Sequence, residues 1–295
     1  MIRKFAVPIF FVAAMAAFGQ AQTRTDAVVT TDWLAQHASD KDVVIVQVGR
    51  ANDESYAKGH IPGARLLAVD KIANMRDRPG TELLPVEQEK QNLEESGISD
   101  NSHVVVYSPM YDPLATRLLW TLDYLGFKGK ASLLEGGIQK WTAEKRPLST
   151  DTPVPAPRGS LTVAAHPEVL VKLDQVNQWI VGDSAGNKDV LIDSRPERRY
   201  TAGHIPGAQD FYWEDMLVNK DTRALRPPDE LRQMFARAGV SAGKRSVSYC
   251  EVGQQASYTY WMARYLGLDA AMYDGSWSEY SNADGEKIVK GDQPR

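Results

Sequence analysis

Short runs of β-branched and other apolar residues alternate with longer segments of helical period along most of this chain. Val43 to Val48 and Val104 to Tyr107 are predicted strands, and Thr116 to Leu125 is a predicted helix. Two further helical stretches, PVEQEKQNLEESGI and PPDELRQMFARAGV, fall between strands and end near a glycine. Strands that alternate with helices in this way predict an α/β fold with a mostly parallel sheet flanked by helices.

The alternating pattern occurs twice. The six residues GHIPGA stand at 59–64 and again at 203–208, and similar apolar runs precede and follow both copies in the same order. We therefore predict two tandem domains, residues 27–147 and 164–290. The proline-rich stretch between them disfavours helix and strand alike and predicts a linker at residues 148–163.

The first 21 residues have the pattern of a secretory signal peptide. Basic residues are followed by an apolar run from Phe5 to Phe18 and by small residues before the predicted cleavage point. The alternative is a membrane anchor, but the run is shorter than the ~20 residues that a spanning helix needs. Residues 1–21 thus predict a periplasmic or secreted protein with no stable membrane insertion after cleavage.

The net charge and the cysteine count limit the classes of function that the chain can have. The chain has 34 basic and 38 acidic residues, and removing the leader with its Arg3 and Lys4 leaves 32 against 38, a formal charge of −6. This mild acidity disfavours a nucleic-acid partner. Cys250 is the single cysteine, so no internal disulfide forms, and the thiol is either reactive or bridges to another molecule.

Cys250 follows the predicted strand RSVSY and opens a glycine-containing loop that enters a helix at about Ala256. Ligands of parallel sheets bind outside the carboxyl ends of the strands, where this cysteine lies. Gly253 allows successive amides to converge, and the helix N-terminus adds positive potential, so the loop is suited to a negatively charged sulfur. A lone cysteine is more often a small buried residue, but this position favours a reactive one.

Two other kinds of thiol chemistry fit less well. A phosphatase-like loop needs an arginine where this chain has Ala256, and a cysteine protease needs a histidine base. His60 and His204 occur in both copies of the repeated turn, including the copy without a cysteine. We therefore predict that both histidines are structural and bond the backbone of the turn.

The two GHIPGA turns, the strand that ends in DSR, the cysteine–glycine loop and YDGSW together resemble the tandem-domain rhodanese family of thiosulfate and 3-mercaptopyruvate sulfurtransferases. The resemblance implies two tandem rhodanese-like domains of which only the C-terminal one is catalytic. Ser108 occupies the cysteine position of the first domain, which is accordingly predicted to be inactive.

The resemblance also implies roles for individual residues. Cys250 would be the catalytic nucleophile that carries a persulfide, Arg195 would hold the anionic end of the substrate, and Trp277 would form an aromatic wall. No metal or other cofactor is implied. The substrate-binding residues implied in this way are Arg195, Glu251, Val252, Gly253, Gln254, Gln255, Ala256 and Trp277.

The loop departs from the family pattern at Glu251, because an acid beside the nucleophile raises the thiol pKa and repels a dianion. Four other residues near the motifs have two interpretations, a substrate contact or an ordinary role in capping and packing. They are Asp193, Tyr212, Trp213 and Asp274.

The leading hypothesis is an exported enzyme that moves sulfur from thiosulfate to a thiophilic acceptor such as cyanide or a thiol. Three alternatives remain open at this stage. The donor could be 3-mercaptopyruvate, the protein could be a non-enzymatic sulfur carrier or binding module, or the thiol could be a redox sensor. No protein acceptor is indicated.

Overall fold

The computed structural model describes residues 22–50, 54–74, 82–109, 112–152, 156–181 and 189–294. The predicted signal peptide lies outside these ranges. Within them, none of the helices combines the length and the apolar character needed to cross a bilayer.

The N-terminal domain contains a five-stranded sheet in which every neighbouring pair is parallel, in the order β1-β5-β4-β2-β3. Its strands are β1 Val28–Val29, β2 Val43–Gly49, β3 Arg65–Ala68, β4 His103–Tyr107 and β5 Lys130–Leu134. Its helices are α1 Thr31–His37, α2 Ser55–Lys58, α3 Val86–Glu95, α4 Asp112–Tyr124 and α5 Gly137–Ala143.

The C-terminal domain repeats this sheet in the order β6-β12-β11-β7-β8, again parallel throughout, and adds the antiparallel hairpin β9–β10. Its strands are β6 Leu170–Val171, β7 Asp189–Asp193, β8 Gln209–Asp210, β9 Leu217–Asn219, β10 Ala224–Leu225, β11 Arg245–Tyr249 and β12 Ala270–Tyr273. Its helices are α6 Leu173–Val181, α7 Glu197–Ala202, α8 Pro228–Arg237, α9 Gln255–Tyr265 and α10 Ser276–Tyr280. The predicted α/β fold class, two domains with parallel sheets, is confirmed.

The central strands β4 and β11 are buried along nearly their whole length, as expected where helices cover both faces of a parallel sheet. Each ends in a tyrosine whose hydroxyl accepts a hydrogen bond from the isoleucine amide of the GHIPGA turn. Tyr107 bonds Ile61 at 3.1 Å, and Tyr249 bonds Ile205 at 3.2 Å. Each copy of the turn is thus tied to the central strand of its own domain, and in the C-terminal domain that strand precedes Cys250.

The two histidines of the repeated turns make equivalent contacts. Nδ1 of His60 lies 2.8 Å from the carbonyl oxygen of Tyr56, and Nδ1 of His204 lies 3.0 Å from that of Tyr200. Each imidazole also stacks on the ring of its tyrosine. Both histidines bond the backbone, as predicted, but the carbonyl that Nδ1 contacts belongs to the helix before the turn rather than to the turn itself.

Helices α4 and α9 pack against each other between the two sheets, which explains why nearly all their side chains are buried. The hydroxyl oxygens of Thr116 in α4 and Ser257 in α9 are 2.8 Å apart. Helix α4 begins at Asp112, four residues before the predicted start, because Pro113 lies in the first turn and has no backbone hydrogen bond to lose there. The helix that follows Cys250 therefore starts at the domain interface.

Candidate active site

Cys250 directly follows β11 and is only 1% exposed. Its backbone is held from α10: the Cys250 amide donates to Oγ of Ser276 at 3.1 Å, and the Cys250 carbonyl accepts from the amide of Trp277 at 2.9 Å. These two hydrogen bonds therefore fix the main chain of Cys250 and with it the position from which the thiol side chain extends.

The segment Cys250 to Gln255, called the thiol loop below, curls around the sulfur. Backbone amides of Val252, Gly253 and Ala256 hydrogen-bond to the thiol. Burial raises the pKa of Cys250, the three amides lower it, and the charge of Asp193 raises it, with burial the larger effect. The resting thiol pKa therefore lies above its usual range, while a negative sulfur meets three donors once it forms.

Gly253 gives the thiol loop its curvature. Its φ of +79° lies in the left-handed region that favours glycine. A Cβ built on this residue would lie 2.6 Å from Oδ1 of Asp274. Both the backbone conformation and the close approach of Asp274 require glycine here.

Arg195 lies at the end of β7 and is 2% exposed. Its Nε and Nη2 donate to the carboxylate of Asp193, and Nη2 also donates to the carbonyl of Gly203 at 2.7 Å. Asp193 in turn accepts from the hydroxyl of Tyr249 at 2.6 Å. The predicted anion-holding residue is thus a rigid part of the strand ends, with Nη1 the nitrogen that faces the thiol loop.

Glu251 directs its carboxylate toward Arg195. Its side chain is 46% exposed, and Oε2 lies 3.6 Å from Nη1 of Arg195. The predicted aromatic wall, Trp277, stacks on the other side of Arg195, with the guanidinium carbon 4.4 Å from the ring centroid. The structure thus brings Glu251, Arg195 and Trp277 together beside the loop.

The remaining predicted residues have ordinary positions. Val252, Gln254 and Gln255 are half-buried in the loop and at the start of α9. Trp213 is buried and packs edge-on against Tyr258, in keeping with its packing interpretation.

Two residues with direct effects on the loop were missed by the sequence reasoning. The Ser276 hydroxyl that accepts from Cys250 also donates to the carbonyl of Tyr273 at 3.0 Å. Arg117, on α4 of the N-terminal domain, donates to the carbonyl of Gly253 at 3.4 Å and to Asp274. Ser276 lies within the motif YDGSW, so a role for it could have been predicted from the sequence. No motif around Arg117 indicates its role.

A comparison with known families finds the rhodanese-like domain twice in this chain, at residues 30–144 and 176–283. The chain belongs to the rhodanese-like family. The sulfur carrier protein TtuD of Thermus thermophilus is 31% identical over 290 residues, which cover 91% of this chain and 98% of TtuD. A protein named thiosulfate sulfurtransferase from Azotobacter vinelandii is 30% identical over 248 residues, covering 81% of this chain and 88% of that protein. These matches place the chain among the rhodanese-type sulfurtransferases.

Solved structures support the fold. The crystal structure of YnjE matches with a TM-score of 0.81 at 21% identity, over 91% of this chain and 70% of YnjE. EanB in complex with ergothioneine matches with a TM-score of 0.80 at 23% identity, over 90% of this chain and 70% of EanB. At these identities the likeness concerns the rhodanese-like fold alone.

In the first rhodanese-like domain, Ser108 follows β4 as Cys250 follows β11, and it is fully buried. Asp112, at the start of α4, pairs with Arg223 of the β9–β10 hairpin at 3.2 Å. Burial raises the pKa of Asp112 to about 6, although the charge of Arg223 and its hydrogen bond lower it. The start of α4, four positions after Ser108, is therefore in contact with the C-terminal domain.

Proposed function

We propose that this protein is an exported thiosulfate sulfurtransferase that carries sulfane sulfur as a persulfide on Cys250 and passes it to a thiophilic acceptor. The observation that supports this most strongly is the group of three backbone amides, from Val252, Gly253 and Ala256, directed at a buried cysteine sulfur. Such donors stabilise negative charge on sulfur without a charged side chain.

The reaction has two covalent steps. The Cys250 thiolate attacks the outer sulfur of thiosulfate, a new S–S bond forms, and the original S–S bond breaks to release sulfite. The terminal sulfur of the persulfide is then transferred to cyanide as thiocyanate, or to a thiol as a new persulfide, and the Cys250 thiolate is regenerated. The same amides serve both steps, because the negative charge returns to sulfur each time.

Arg195 supports the choice of an anionic donor. Its Nε and Nη2 are held by Asp193 and Gly203, so the guanidinium is fixed before any substrate arrives. In the proposed complex, Nη1 exchanges the Glu251 carboxylate, 3.6 Å away, for the sulfonate end of thiosulfate. Because the Glu251 side chain is 46% exposed and 3.6 Å from the guanidinium, this ion pair costs little to open.

Two other functions remain as alternatives. The carboxylate of 3-mercaptopyruvate would use the same nitrogen of Arg195 and release pyruvate. A sulfur carrier without turnover is the second, and it draws on the name of the relative TtuD, a sulfur carrier protein. Comparing catalytic turnover of the two donors, with cyanide as acceptor, separates all three.

Export is proposed from the pattern of residues 1–21 alone. In a Gram-negative host the mature protein would be periplasmic. The measurement is fractionation followed by N-terminal sequencing, and a chain that keeps its first residues in the cytoplasm would contradict export.

The decisive experiment is an intact-mass measurement of the mature protein after exposure to thiosulfate and removal of the donor, with Cys250→Ser beside it. We expect a gain of one sulfur atom that cyanide removes as thiocyanate, and no gain in the variant. If thiosulfate adds nothing but 3-mercaptopyruvate does, the donor is 3-mercaptopyruvate. If a persulfide forms without repeated turnover in the presence of acceptor, the protein is a carrier.

A further inference from the structure

A fully buried arginine of the N-terminal domain reaches the thiol loop of the C-terminal domain. Arg117 is 0% exposed and lies in α4. Its Nη1 and Nη2 donate to the two carboxylate oxygens of Asp274, the second at 3.1 Å, and Nη1 also donates to the carbonyl of Gly253 at 3.4 Å. The residues joined are 136 and 157 positions apart in sequence.

Asp274 packs against the thiol loop at Gly253. It follows β12, and its Oδ2 also accepts from the backbone amide of Leu83 at 3.1 Å. The N-terminal domain thus supplies both a charge and an amide to this carboxylate. A Cβ on Gly253 would lie only 2.6 Å from Oδ1 of Asp274, so this carboxylate packs closely against the loop.

The contact with the Gly253 carbonyl has a direct electrostatic consequence. Glycine rotates freely about its backbone bonds, so nothing in Gly253 itself fixes the direction of its carbonyl. A carbonyl that swung toward Cys250 would present its negative end to the sulfur and oppose the three amide donors. The hydrogen bond from Arg117 holds that oxygen on the side of the loop where Asp274 lies.

We propose that Arg117 is a positioning residue for the thiol loop, so that the domain without a cysteine completes the sulfur site of the domain that has one. This inference rests on the proposed function in one respect, that Cys250 is the reacting thiol.

A purely structural role for Arg117 must be distinguished from this one, because breaking any buried ion pair destabilises a protein. The interface provides a matched control. Arg264 on α9 pairs with Asp123 on α4 at 3.2 Å, and Asp123 also accepts from the Tyr260 hydroxyl. This pair crosses the same interface between the same two helices but makes no contact with the thiol loop.

The test compares Arg117→Met with Arg264→Met, and the readout is the pH titration of the Cys250 thiolate by ultraviolet absorbance. Because Cys250 is the only cysteine, subtracting the Cys250→Ser counterpart in each background removes the tyrosine signal. We expect Arg117→Met to raise the midpoint by about one pH unit, which is about tenfold less thiolate at a given lower pH. The midpoint of Arg264→Met should stay at the wild-type value while its melting temperature falls.

Arg117→Lys is measured in parallel, since one ammonium keeps the charge beside Asp274 but cannot also bond the Gly253 carbonyl as the guanidinium does. We expect its midpoint to rise as well. If an Arg117 variant folds and its thiol titrates at the wild-type midpoint, the proposal is overturned. An equal shift of the midpoint in Arg264→Met also overturns it. Failure of the wild type to take up sulfur from any donor would overturn the proposed function, while the titration, which needs no donor, would still decide the role of Arg117.

Discussion

Nη1 of Arg195 and Oε2 of Glu251 are 3.6 Å apart, and this pairing explains how an acidic residue is tolerated next to the cysteine. The carboxylate lies beside a guanidinium that Asp193 already fixes. An acid that the sequence marks as unfavourable for an anionic substrate therefore lies against Nη1 of Arg195, the nitrogen proposed to bind the donor.

Removing that charge should improve donor binding. We expect Glu251→Gln to lower KM for thiosulfate roughly two- to fivefold, the factor that corresponds to ~0.5–1 kcal/mol for a half-exposed ion pair. Steady-state kinetics with cyanide as acceptor measure this. Glu95→Gln, an exposed acid at the end of α3, is the control for the change in net charge and should leave KM unchanged. A KM in Glu251→Gln that is equal to or above the wild-type value would count against the proposed exchange.

The requirement for glycine in the thiol loop is testable with a pair of alanine variants. Gly253 and Gly239 both have positive φ, +79° and +87°, but a Cβ at Gly239 meets no atom within 4 Å. Both should lose about 1–2 kcal/mol from backbone strain. Sulfur uptake should fall by about a hundredfold or more only in Gly253→Ala, because the loop must shift away from Asp274. Equal rates of sulfur uptake in the two variants would show that the close contact is unimportant.

The hydroxyl of Ser276 should matter more than an average buried hydroxyl. Ser276→Ala leaves the buried amide of Cys250 without its acceptor, so we expect a loss of about 1–3 kcal/mol in stability. We expect sulfur uptake to fall about tenfold as well, because the cysteine backbone is no longer held. Ser246 on β11 is a suitable control, since its buried oxygen has no hydrogen-bond partner among the described residues. Ser246→Ala should be neutral or stabilising, and an effect on sulfur uptake equal to that of Ser276→Ala would contradict the assignment.

Glu89 on α3 should make the protein less stable in alkaline solution. Burial raises the pKa of this carboxyl to about 8, although Arg117 and the amide of Leu84 lower it. The folded state therefore keeps a proton that the unfolded chain, with an ordinary carboxyl pKa, has released. This contribution to stability is complete below the unfolded pKa and is lost as the pH rises from about 4.5 through about 8.

Thermal unfolding of Glu89→Gln across this pH range tests that prediction. The amide cannot ionise, so the decline in melting temperature between pH 5 and pH 9 should be smaller in the variant, which should be the more stable protein at the alkaline end. At roughly 2–4 °C per kcal/mol for a protein of this size, the difference is readily measured. Parallel curves for wild type and variant would exclude Glu89 as the responsible group.

Much of the fold follows from local pattern. The predicted strand Val43 to Val48 corresponds to β2, Val43–Gly49, and the helix predicted from about Ala256 begins at Gln255. These predictions succeeded because apolar runs and a glycine loop specify their neighbours directly. The helix predicted from about Thr116 begins earlier, at Asp112, with Pro113 in its first turn.

The sequence by itself determined the repeat and the parallel sheets, because both follow from the order of apolar runs and motifs along the chain. It also determined the position of Cys250 at a strand end and the glycine that bends its loop, because each of these is a property of a few consecutive residues. Tertiary structure decided the rest of the site. The ion pair of Glu251 depends on Arg195, which follows β7, and the hydrogen bond to the Gly253 carbonyl depends on Arg117 in the other domain. Contacts between residues far apart in sequence leave no periodic trace in a single chain, so only the tertiary structure could show that Arg117 of the N-terminal domain contacts Asp274 and the loop that begins at Cys250.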